Sequence, residues 1–142
     1  MSANKYRIRE LLSSPYYIAR NIEWKKQQIE MLRDLAERST PSYKATMTSG
    51  TQDRSRVESC VVKICELCNE LEKDKEALAE QIERALKLIK QVPDDRQRAV
   101  LEAYHINRLK IWKIAQELHI SERTVKYDLQ KGREWIEKHC KI

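Results

Sequence analysis

The chain has 142 residues, with 28 Lys/Arg against 22 Asp/Glu, two Gly, three Pro and no Phe. Its residues are 41% hydrophobic and 35% charged, which excludes a broad globular core and points to amphipathic helices that bury stripes. The N-terminus has no apolar region and no run approaches the ~18 apolar residues of a membrane span, so the expectation is a cytoplasmic protein with no membrane contact.

Residues 1–12 (MSANKYRIRELL) are basic, with Ile8, Leu11 and Leu12 available to pack, and read as a short helix or a frayed lead-in. Ser14 then suits a helix cap and Pro15 the first helical position. The helix they start should run from Tyr16 to about Glu37. Ile18, Ile22, Ile29, Leu32 and Ala36 share one side of it, with Trp24, Met31 and Leu35 alongside. Residues 39–53 (STPSYKATMTSGTQD) break the periodicity with Pro41, Gly50 and many Ser/Thr, and predict a connecting loop. Beyond it, Val57, Val61, Ile64, Cys68, Leu71, Lys75, Leu78, Ile82, Ala85, Ile89 and Val92 step by four and three. That 3.5-residue repeat describes a coiled-coil seam on a helix about 55 Å long. A preceding helix of about 22 residues would cover little more than half of such a seam as an antiparallel hairpin. The remainder needs cover from the N-terminal residues, the C-terminal domain or a second copy, and self-association through this arm is the expectation. Lys75, alone in an apolar seam, would be costly to bury; it is a candidate register-setting or end-of-contact position, although a packed stem with the charge in water is the commoner outcome.

Val92-Pro93-Asp94-Asp95 ends the long helix and starts another, which should reach about Ile106. This divides the chain into an arm, residues 1–92, and a second domain, residues 93–142. After a turn at Asn107-Arg108, the apolar positions Ile111, Ile114, Ala115 and Leu118 give one helical face. His119 interrupts it, Ser121 is a good N-cap, and Val125 and Leu129 follow at helical spacing. The polar residues between them, Glu122, Arg123, Lys126, Tyr127, Gln130 and Lys131, are left facing outward. This is the pattern of a helix-turn-helix, whose second helix enters the DNA major groove. Charge concentrates in the same place, with seven Lys/Arg against three Asp/Glu between residues 108 and 133. A solvated basic face would account for that excess too, but an electrostatic footprint on double-stranded DNA has this distribution. Arg123, Lys126 and Tyr127 are the candidates for base contacts; Arg108, Lys110, Ser121, Lys131 and Arg133 are those for phosphates. Gly132 permits close approach of a neighbouring helix, and Trp135, Ile136 and Cys140 should anchor the last turns.

The stretch VPDDRQRAVLEAYHINRLKIWKIAQELHISERTVKYDLQKGREWIEKH resembles the fourth region of bacterial sigma factors. With the helical N-terminal part and the Ser/Thr-rich segment, the whole chain is similar to the ArpU/RinA-like phage late-gene regulators. Three positions depart from the usual pattern. Arg108 and His119 stand where Gly is common, and Lys110 where a Ser or Thr cap is common. The resemblance implies an all-α protein, a coiled-coil arm followed by a region-four-like helix-turn-helix domain. It also implies action at promoters, contact with bacterial RNA polymerase and a place in a bacterial host cell.

Other readings compete with transcription regulation. A phage small terminase subunit also joins a helix-turn-helix to assembling helices, and in an interaction scaffold the arm would matter and the basic domain would bind protein. Cys65 and Cys68 form a CxxC inside a helical pattern, without the further ligands a structural zinc needs, so no metal or cofactor is expected. No nucleophile has an associated His and acid, and no catalytic residue or enzyme activity is expected.

Overall fold

The computed structural model describes residues 2–38 and 50–141. Among these residues all regular structure is helical: α1 (Ser2–Arg38), α2 (Gly50–Ile89), α3 (Asp95–Leu101), a π-helical segment (Glu102–Ile106), α4 (Ile111–Leu118) and α5 (Glu122–His139). None of the described helices is long and apolar enough to cross a membrane. The Ser/Thr-rich stretch lies outside the described residues over 39–49, while 50–53, expected in the loop, already belong to α2.

Helix α1 corrects the reading of the first forty residues. It has 37 residues instead of about 22 and passes through Ser13-Ser14-Pro15, the expected start signal. Pro15 denies the Leu11 carbonyl its helical partner, a cost of about 3 kcal/mol. Ile8 and Leu12, two turns and one turn earlier, are fully buried. At ~1.5–3 kcal/mol for each such side chain, their burial offsets the proline and holds the first turns in register. Pro15 itself is buried, so its ring adds apolar contact.

Contacts divide the chain into two compact units. One takes in the chain up to Ile18 together with the chain from Ala77 onward. Its core joins Ile8 and Leu12 of α1 and Ala85 and Ile89 of α2 to Val100, Leu101, Ile114, Val125, Leu129 and Ile136. Asp94 caps α3, its side chain accepting from the Gln97 amide at 3.0 Å. Gly132 lets α5 close on α3, since a Cβ there would stand 2.6 Å from Leu101 Cδ1. Cys140 is buried, and that burial pushes its thiol pKa up.

The other unit is Ala19–Glu76. Ile22 and Ile29 of α1 and Leu71 of α2 are buried, and Lys25 forms ion pairs with Glu70, at 3.5 Å, and with Asp74. The α2 seam is covered unevenly: Val61 is exposed, Ile64 and Cys68 are half-buried and Leu71 is buried. Lys75 keeps its charge in water, 3.4 Å from Glu72.

Candidate nucleic-acid interface

Helices α4 and α5 carry the predicted site, and backbone geometry fixes both ends of α4. Lys110 precedes it in an extended conformation without a side-chain cap. At the other end His119 is left-handed, φ 55°, and two hydrogen bonds close the turn: Ile120 N–H to the Ala115 carbonyl at 3.0 Å and His119 N–H to Gln116 at 3.4 Å. This is the Schellman arrangement, with His119 where glycine is usual. Arg108 is left-handed as well, φ 58°, where the π-helical segment ends. There Asn107 N–H reaches the Glu102 carbonyl and Leu109 N–H the Ala103 carbonyl, both at 3.0 Å. Ser121 then caps α5, its Oγ accepting from the Thr124 amide at 3.1 Å and lying 2.8 Å from Thr124 Oγ1.

Alternation along α5 sorts the side chains. Val125, Asp128, Leu129, Gly132 and Ile136 turn inward, and Arg123, Lys126, Tyr127, Gln130 and Lys131 outward. The outer face has two halves with different electrostatics. Toward the C-terminus, Glu134 accepts from Gln130 at 3.2 Å and pairs with Lys131 at 3.6 Å. Toward the N-terminus, neither Arg123 nor Lys126 has an ion-pair partner among the described residues, and Tyr127 is 54% exposed. Lys131 also lies 5.7 Å from the centre of the Tyr127 ring. Arg108 and Lys110 are exposed before α4. Ser121 faces solvent, but its hydroxyl is engaged in the cap.

Arg133 lies elsewhere. Expected at a phosphate, it is half-buried, its Nε donates to His105 Nε2 at 3.2 Å, and its guanidinium lies 5.5 Å from the Tyr104 ring centre. Burial lowers its pKa, although nearby Tyr104 and Glu137 oppose the shift. His105, in turn, is brought down to about 4, first by burial and then by the Arg133 charge, with a backbone hydrogen bond at Leu12 acting the other way. Because Nε2 accepts from Arg133, the neutral ring carries its proton on Nδ1.

Two further features escape the sequence pattern. Asp128 is buried and receives both Arg96 Nε, at 2.7 Å, and the Arg96 terminal nitrogen, at 3.2 Å, tying α3 to α5 beneath the outer face. That hydrogen bond and the Asp128 charge raise the Arg96 pKa. The available signal was a carboxylate at helical spacing from Val125, on the apolar side. Trp112 is 55% exposed between Lys110 and Lys113, one position off the Ile111/Ile114/Ala115 stripe. Its phase alone placed it outside.

The family model for the protein of unknown function DUF1492 matches residues 37–135. The chain belongs to the DUF1492 family. No curated protein and no solved structure matches it. The DUF1492 match spans α2, α3, α4 and α5 as far as Trp135.

Proposed function

We propose that this DUF1492 protein is a sequence-specific DNA-binding transcription regulator in which α4 and α5 act as a helix-turn-helix. The carrying observation is the N-terminal half of the α5 outer face. Arg123 and Lys126 are exposed there without ion-pair partners among the described residues, on a helix whose opposite side is locked by Val125, Asp128 and Leu129. Further along the helix Lys131 is paired with Glu134, so the unpaired positive charge is concentrated at the end of α5 that a helix-turn-helix presents to bases.

In this reading α5 enters the major groove. Arg123 donates to guanine O6 and N7, and Lys126 and Tyr127 reach neighbouring bases. Arg108, Lys110 and Lys131 meet phosphates, and the free amides of the first α5 turn add an anion-binding end. Arg133 supports the helix from behind. The sigma region-four resemblance, with its Arg108 and His119 departures at the two left-handed positions, extends the proposal to a phage or prophage late-gene activator working with bacterial RNA polymerase.

The test is selection of bound sequences from a random DNA pool with the wild type and with an Arg123→Ala/Lys126→Ala variant. A motif enriched by the first and lost by the second is expected. Arg123→Ala should cost about 1–3 kcal/mol on the selected site and relax one base position, whereas Lys131→Ala should weaken all sequences alike. Equal loss on selected and random DNA for Arg123→Ala would overturn its assignment. Absence of any motif would overturn sequence-specific recognition.

A further inference from the structure

Helix α4 carries its charges against its own dipole. Lys110 precedes it and Lys113 lies in its first turn, where no acidic residue stands; Glu117 is exposed near its C-terminus, where the last turn has no basic residue. The macrodipole favours the opposite order, acid first and base last. Neither lysine has an ion-pair partner among the described residues, and Arg108, exposed just upstream, has none either. Between the two lysines in sequence stands Trp112, 55% exposed, with no ring stacked on it and no cation over its face among the described residues. It lies about 100° around the helix from Ile111. Gln116, one turn on, is exposed on the same side. Ile111, Ile114 and Ala115 turn the other way, toward the core, so the packed stripe of α4 is complete without the indole.

We propose that Trp112 packs its indole against a deoxyribose of a DNA strand whose neighbouring phosphates meet Lys110 and Lys113, so that α4 grips the backbone while α5 reads bases. The inference rests on the helix-turn-helix reading and adds to it a residue that carries no charge. Complementarity selects this occupant. A DNA strand alternates an apolar sugar face with anionic phosphates, and the start of α4 sets an indole between two cations. Position selects it as well. Only residues 119–121 join α4 to α5, and when the second helix of such a pair lies in the major groove the first crosses the backbone. A contact to sugar is blind to sequence. Unlike a lysine contact it releases no counterion, so Trp112 should raise affinity for every duplex without steepening the salt dependence.

The experiment measures binding of the full chain to the selected site and to a random duplex of equal length over a salt series, with Trp112→Ala, Trp112→Phe and Lys113→Ala beside the wild type. Trp112→Ala should weaken both duplexes about tenfold and leave the salt slope unchanged. Trp112→Phe keeps an apolar ring and should recover most of that loss. Lys113→Ala should instead make the slope shallower by about one. DNA should also change the indole emission of the wild type, and the change should be absent from Trp112→Phe although Trp24 and Trp135 remain. That readout stands even if Trp112→Ala disturbs the fold. Full affinity of Trp112→Ala on both duplexes would overturn the proposal and leave the helix-turn-helix reading in place. A loss confined to the selected site would overturn it too, by making Trp112 a base contact, and so would a shallower salt slope. A protein that binds DNA without selecting sequence still tests the contact on the random duplex. A wild type that binds neither duplex would overturn the helix-turn-helix reading, and this contact with it.

Discussion

Arg108 and His119 adopt left-handed backbone at φ 58° and 55°, one on each side of α4. A side chain in that region costs roughly 1 kcal/mol relative to glycine. At His119, exposed and closing a Schellman turn, glycine would relieve the strain without uncovering the core. His119→Gly should therefore stabilise the fold by roughly 1 kcal/mol, read from the urea midpoint at constant slope. A lower midpoint would mean that the imidazole stabilises the turn. Arg108→Gly should stabilise to a similar degree, but if Arg108 meets a phosphate the gain comes with weaker DNA binding and a salt dependence shallower by about one charge. Opposite signs in the two measurements would identify a residue kept for binding at a cost in stability. Sequence marked both positions because glycine is common there in the resembling family. No comparable pattern marked Arg133, whose inward turn depends on a histidine 28 residues earlier.

Among the elements, α5 shows how far periodicity reaches. Its apolar spacing separates the inner from the outer residues correctly, since Val125 and Leu129 are buried while Arg123 and Lys126 are exposed. Periodicity assigns a face without naming what packs against it, so the Asp128–Arg96 pair escaped. The same limit applies to Pro15: a local start signal was overridden by burial of Ile8 and Leu12 against distant residues. Gly132 allows the packing to be measured. Alanine in a helix interior normally gains about 1 kcal/mol over glycine. Here its Cβ would meet Leu101 Cδ1 at 2.6 Å and Cγ at 3.1 Å, and Leu101 is fully buried with little room to give. Overpacking of this kind costs about 1–3 kcal/mol, so Gly132→Ala should be net destabilising. In a Leu101→Ala background the same methyl enters vacated space, and Gly132→Ala should become stabilising. Parallel denaturation curves of the four proteins would show the sign change, and additive effects would contradict the close approach.

At the scale of the whole molecule, the first turns of α1 and the end of α5 meet in one unit. Asn4 Nδ2 donates to the carbonyls of Glu137, at 3.0 Å, and Cys140, at 3.1 Å, where α5 ends, and Arg9 lies 3.7 Å from Glu137. No local pattern announces contacts between residues more than 130 positions apart. His105 sits in that unit, linked to α1 through the Leu12 backbone and to α5 through Arg133. Its folded pKa of about 4 lies below the ordinary 6.5. Between those values the unfolded chain binds the proton and the folded chain does not. The stability from a neutral His105 is therefore fully present above pH 6.5 and is lost progressively as pH falls toward 4. The shift corresponds to a loss on the order of 3 kcal/mol. Denaturation at pH 7.0, 5.5 and 4.5 should show this fall, and His105→Gln should flatten it while leaving the contribution of the carboxylates, which begin to titrate at the acid end. Arg133→Met removes the second cause of the shift while keeping an apolar stem, so the slope should shrink without vanishing, because burial is the larger cause. Were the His105→Gln curve to run parallel to the wild type throughout, His105 would take up its proton as readily in the folded protein as in the unfolded chain, and the acceptor role at Nε2 would have to be abandoned.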